Sequence, residues 1–255
     1  METVYVLEDR CFRAIYHWFF LILAGLRHLE NSSTKVNICM PWFVDYRYNT
    51  ESLEYFKDKF NFFFDLKSVG PLQKIPFHGE PLLQADTVSA DAYRYIRNLL
   101  LKGKSYTMIP KKYVYITRKG SEKIESNNGR VHHAVVNESE LRSLLSKYGV
   151  EVIQLEDFNL EEKIKIFREA EVIVSPFGGG LTFTALCEPT QKVIELVSPH
   201  MPLNMLHYEV ICKVFNIPYI RFMDVETIDT DYNILVNLES LLNFLMESNV
   251  LFFER

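Results

Sequence analysis

The chain has 255 residues, 48% of them hydrophobic and 24% charged, with a net charge of −5 at pH 7. That composition suits one large folded domain or two small ones, and it excludes disorder as the main state. The acidic balance gives no bulk attraction to nucleic acid or to an anionic membrane.

The longest apolar run, Trp18 to Leu26, is far shorter than the roughly 20 residues that span a bilayer, so no transmembrane segment is expected. The start Met1-Glu-Thr lacks the basic n-region of a signal peptide. Cys11, Cys39, Cys187 and Cys212 are widely spaced in apolar stretches and read as reduced core residues. These features predict a cytoplasmic protein.

Short β-branched runs predict strands over 3–7, 35–39, 61–66, 113–117, 151–155, 171–175, 192–197 and 219–222. Helical periodicity fills most of the gaps. Leu141, Leu144, Leu145 and Tyr148 share one helix face. Asn137 with Glu140, and Asn159 with Glu162, have capping-box spacing, and Gly149 suits a left-handed helix cap. The alternation predicts an α/β protein of two Rossmann-like domains with parallel sheets. The first is placed at 1–102 and the second at 103–230, with a last helix in 231–255 packing back toward the first. Ligands of such sheets bind at the carboxyl ends of the strands, which are expected to face a shared cleft.

Three consecutive glycines, Gly178, Gly179 and Gly180, follow the strand that ends at Ser175 and precede a helix near Leu181-Thr182. Backbone N–H groups without Cβ atoms, at a helix start, suit a diphosphate; a tight, closely packed turn is the plainer reading. Phe183 stands where a dinucleotide fingerprint needs glycine, and no Walker lysine is present. Glu195 interrupts the apolar strand 192–197. It either accepts from a ribose diol, pairs with a cation such as Lys192, or sits on an exposed edge.

The strand 113–117 runs into Thr117-Arg118-Lys119-Gly120. Thr117, Arg118 and Lys119 are expected at the donor: arginine suits bidentate phosphate contact, whereas Lys119 also fits a solvated loop. Arg130 and the pair His132-His133 follow a polar loop; adjacent histidines diverge and no carboxylate pattern accompanies them, so metal is not favoured. His17, in Tyr16-His17-Trp18, stands near the start of an apolar helix after the first strand. It is either a general base facing the cleft or a half-buried histidine bonded to backbone. His78 is the reserve candidate.

The order of these segments is Tyr-His-Trp, Thr-Arg-Lys, Asn-Glu opening a helix, then a glycine loop with Leu-Thr and a Val-Ile-Glu-Leu strand. It resembles the inverting glycosyltransferases of family 61 over about 3–200, most strongly over 112–198. The resemblance implies a GT-B architecture and a nucleotide-sugar donor, most often UDP-linked. It implies a diphosphate held by Arg118 and the loop Ser175, Phe177, Gly178, Gly179, Gly180, Leu181 and Thr182. Glu195 would then lie near the nucleoside and His17 would face a glycan, protein or small-molecule hydroxyl. The family loop usually reads Gly-x-His-Gly-Ala-Gly-Leu, and Phe177 takes the place of its histidine. Ala14, Leu21 and Lys163 stand where the family often has asparagine, an acid and glutamine.

The function expected is transfer of a sugar to a hydroxyl with inversion, without a cofactor. A catalytically inactive nucleotide-sugar-binding or scaffold protein on the same fold is the alternative. No Asp-x-Asp motif stands at the end of a predicted strand, so metal independence is expected.

Overall fold

The computed structural model describes residues 4–6, 14–30, 34–40, 43, 45–64, 88–118, 133–202 and 205–248. Cys11, His78, Lys119, Arg130 and His132 lie outside the described residues. The chain forms two compact units, Met1–Lys104 and Ser105–Arg255.

The first unit carries a parallel sheet of β1 (Val4–Val6), β2 (Val36–Cys39) and β3 (Phe60–Phe63), in that order. The turns between them hold α1 (Ile15–His17), a π-helical stretch Trp18–Leu23 and α2 (Arg47–Leu53). The long apolar helix expected here is real but irregular, and it finishes as a 3-10 turn, Leu26–Leu29. Its large side chains explain the burial: Trp18, Phe19, Ile22, Leu23 and Leu26 are all in the core. The Trp18 indole N–H donates to the Ser52 hydroxyl at 2.8 Å, which satisfies its polar edge. α3 (Ala90–Leu101) is capped by Ser89 and buries Tyr93, Ile96 and Leu100.

The second unit is a doubly wound sheet. β4 (Tyr113–Thr117), β5 (Glu151–Gln154), β6 (Val172–Pro176), β7 (Lys192–Leu196) and β8 (Tyr219–Phe222) pair in the order β5-β4-β6-β7-β8, all parallel. Alternate residues face two helical layers. On one face, Tyr113, Tyr115, Val172, Val174, Ile194 and Leu196 pack with leucines of α4 (Glu138–Lys147) and α7 (Leu238–Glu247). On the other lie α5 (Leu160–Glu169), a 3-10 helix Gly179–Leu186 and α6 (His207–Val214).

Local signals fared unevenly. Asn159 and Glu162 form the expected capping box, and Gly149 takes φ +75° at the end of α4. The Asn137 capping box does not form. The Asn137 side chain instead donates to the Val236 carbonyl at 2.9 Å and accepts from the Val236 N–H at 3.0 Å. That contact stitches α4 to a hairpin that the sequence reading missed, β9 (Val225–Thr227) with β10 (Ile234–Val236). The last helix, α7, buries Leu241 and Leu245 in the core of the second unit.

Candidate functional site

The sheet order places a switch point between β4 and β6, where ligands of open α/β sheets bind. The backbone shows the opening. The β4–β6 pairing ends at Tyr115↔Val174, while β4–β5 continues to Thr117↔Gln154 and β6–β7 to Pro176↔Leu196. Beyond Tyr115 the two strands part.

Arg118 leaves β4 at this parting. Its guanidinium lies over Gly178, where an added Cβ would stand 3.6 Å from Nη1. Burial pushes the Arg118 pKa below its ordinary value, with Tyr208 and Glu156 nearby favouring the charged form. Gly180 meets the other half of the same strand face: a Cβ there would come within 3.0 Å of Leu155 Cδ1 and 3.2 Å of Ile116 Cγ2. The close-packing reading of the glycine run therefore holds at Gly180. Gly180 is a packing glycine, and Gly178 keeps the surface beneath the arginine low.

The first helical bond after the run is Leu181 N–H to Gly178 C=O at 3.0 Å, which leaves the Gly179 and Gly180 N–H groups outside the helical ladder. Gly180→Ala is expected to cost about 1–3 kcal/mol by overpacking, whereas Gly178→Ala keeps stability within about 1 kcal/mol. Urea unfolding of the two variants checks this contrast.

Glu195 is on the same face as Arg118 and is only 3% exposed, so it is neither on an edge nor solvated. Its cation is Arg221 of β8, with Nε 3.4 Å from Oε2, rather than Lys192, which donates to the Ser248 carbonyl. Glu195 Oε1 is buried and accepts no hydrogen bond among the described residues. Burial raises the Glu195 pKa from 4.5 to about 7, although Tyr219 and Arg221 favour the charged form. The folded state therefore binds this proton more tightly than the unfolded chain. Stability that is complete below pH 4.5 is lost as pH rises through about 7, to the extent of about 3 kcal/mol. Glu195→Gln stays neutral, so its stability relative to wild type is expected to grow from pH 5 to pH 8. Melting temperatures across that range test the sign.

The other expected residues divide by face. Ser175 pairs with Glu195 across the sheet and is buried, its hydroxyl donating to the Pro176 carbonyl at 2.9 Å. Leu181 is core, and Thr182 is buried beside Tyr208. Phe177 is buried among the rings of His133, His207 and Tyr208, with centroids at 4.7, 5.7 and 5.3 Å. Thr117 is a correction. Strand alternation points it away from Arg118, and its hydroxyl donates to the buried Glu138 carboxylate. His17 ends α1 in the first unit, half-buried, its ring 5.7 Å from that of Tyr16.

Tyr208 escaped the sequence reading, and Glu138 entered it only as the acid of the Asn-Glu that opens a helix. Tyr208 of α6 is buried, and burial with the Glu195 charge raises its hydroxyl pKa, against the opposing effect of Arg118 and Thr182. An aromatic on a helical face reads as core, and only the tertiary packing reveals the polar company at its hydroxyl. Glu138 carries a weak signal, an acid in a helix's first turn. An Asp-x-Asp triplet, Asp229-Thr230-Asp231, does occur, but in the β9–β10 turn. There Asp229 accepts from the Asp231 and Asn233 N–H groups and from the Asn233 amide.

The model of the Glycosyltransferase 61 family matches residues 15–194, which run from α1 through most of β7. The chain belongs to glycosyltransferase family 61. This family member is therefore a transferase acting between a sugar donor and an acceptor, on an α/β Rossmann-like fold. Among solved structures, the E. coli heptosyltransferase WaaC with ADP is similar over 98% of this chain and 98% of that one. The identity is 11% and the TM-score 0.38. No curated protein matches the chain in sequence. No helix among the described residues is long and apolar enough to cross a membrane.

Proposed function

We propose that this family 61 member transfers a sugar from a nucleotide donor, UDP-linked, to a hydroxyl acceptor with inversion. The observation that carries the reading is Arg118 at the parting of β4 and β6, spread over Gly178. A diphosphate seated there meets the guanidinium from one side and the N–H groups of the glycine turn from the other. Glu195, one of whose buried oxygens accepts no hydrogen bond among the described residues, accepts from the ribose hydroxyls. His17 takes the acceptor proton as the hydroxyl attacks the anomeric carbon from the face opposite the leaving diphosphate. Arg118 and the turn meet the charge that develops on the leaving oxygen, without a divalent metal.

A thermal-shift panel of UDP, GDP, TDP, CDP and NAD tests the donor. A nucleotide at 100 times its dissociation constant stabilises by about 2.7 kcal/mol, and UDP is expected to give the largest shift. Transfer is expected to persist in EDTA; a rate abolished by chelation and restored by manganese would overturn the metal-free leaving-group chemistry. Phe177 favours a second reading, since a buried phenyl ring neither donates to phosphate nor carries a proton. Under it the protein binds UDP but neither transfers nor hydrolyses a UDP-sugar.

A further inference from the structure

The end of β4 is held on one side only: past Tyr115 it no longer pairs with β6, and β5 alone accompanies it as far as Thr117↔Gln154. A side chain from α4 adds a second hold. Glu138, the first residue of α4, is 1% exposed. Its carboxylate accepts from the Tyr115 hydroxyl at 2.8 Å through Oε2 and from the Thr117 hydroxyl through Oε1. Both donors lie on the β4 face opposite Arg118. Burial and the carboxylate itself raise the Tyr115 pKa well above its ordinary value, so its proton stays available for donation. A carboxylate is costly to bury unless its oxygens are satisfied, and here each oxygen grips β4. The helix N-terminus adds a field that favours the charge.

We propose that Glu138 is a positioning residue. It clamps Thr117, and through Thr117 it fixes the backbone from which Arg118 reaches the donor diphosphate. This rests on the reading of Arg118 as a diphosphate ligand. Glu138 itself touches no substrate. A purely structural Glu138 would stabilise the unit without regard to Arg118, so the two roles separate in a double-mutant cycle.

The measurement is calorimetric UDP affinity, with unfolding free energy beside it, for wild type, Glu138→Gln, Arg118→Ala and the double variant. Thr117→Val and Tyr115→Phe complete the set. Glu138→Gln keeps the shape but cannot accept from both hydroxyls, and it is expected to weaken UDP about tenfold. Thr117→Val should reproduce that loss. Tyr115→Phe, which leaves the Thr117 contact in place, should lower stability and keep UDP affinity. In the Arg118→Ala background, Glu138→Gln should cost no further affinity. Wild-type affinity in both Glu138→Gln and Thr117→Val overturns the proposal, as does an equal loss with and without Arg118. Should Glu138→Gln not fold, Thr117→Val alone decides between these outcomes. Failure of wild type to bind UDP, or full affinity in Arg118→Ala, overturns the diphosphate reading and this proposal with it.

Discussion

His17→Ala is expected to lower the turnover of sugar transfer by about 10²–10⁴-fold, the usual contribution of a positioned general base. UDP affinity should stay within about twofold, because a base that acts on the acceptor adds nothing to ground-state binding of the nucleotide. The physical case is one of supply. An acceptor hydroxyl must lose its proton as it attacks, and imidazole is the side chain whose ordinary pKa suits that transfer at neutral pH. His17 follows the first strand of its unit and is half-buried beside Tyr16. Steady-state kinetics with a UDP-sugar, read beside UDP calorimetry, check the split. Near-normal turnover in the variant would move the base elsewhere, with His78 next in line. Turnover and affinity lost together would make His17 a donor-binding residue instead.

Arg118→Ala is expected to show the opposite emphasis. Loss of a charge-assisted contact to the diphosphate should cost about 1.5–3 kcal/mol, or about 10- to 100-fold in UDP affinity. The guanidinium lies against a glycine surface, so truncation leaves the strand and the turn in place. Circular dichroism should therefore be unchanged while the calorimetric affinity falls. Turnover at saturating donor should fall too, because the same cation meets the charge on the leaving diphosphate. Unchanged affinity in a folded variant would remove Arg118 from the site.

Much of this fold was legible because its signals are local. A strand of apolar β-branched residues declares itself within a few positions, and β4 and β8 have the predicted bounds. The Asn159 capping box closes over three residues, and Gly149 needs only its own φ. The order of motifs from Tyr16-His17-Trp18 to the glycine run was likewise readable, and it matches the family that the chain belongs to.

What the sequence left open depended on partners distant along the chain. Asn137 had the spacing of a cap, but the Val236 backbone, 99 residues away, offered two hydrogen bonds and took its side chain. The three-residue strands β9 and β10 are too short to show a period, and they exist because they pair with each other. Glu195 found Arg221 because β7 and β8 are neighbours, while Lys192, nearer in sequence, bonds elsewhere.

The site divides in the same way. Alternation along β4 already requires Thr117 and Arg118 to point to opposite faces. Which face meets the glycine turn is set by the strand order, and strand order is a property of the packed sheet. The sequence by itself determined the parallel strands, the glycine run and the arginine at a strand end. Only the tertiary structure decided that β4 and β6 part beneath that arginine, that Glu138 holds the strand from behind, and that Tyr208 is buried within range of both the Arg118 and Glu195 charges. The reason is range. Propensity, periodicity and capping act over a few residues, whereas a crevice forms where strands far apart in the chain meet and then diverge.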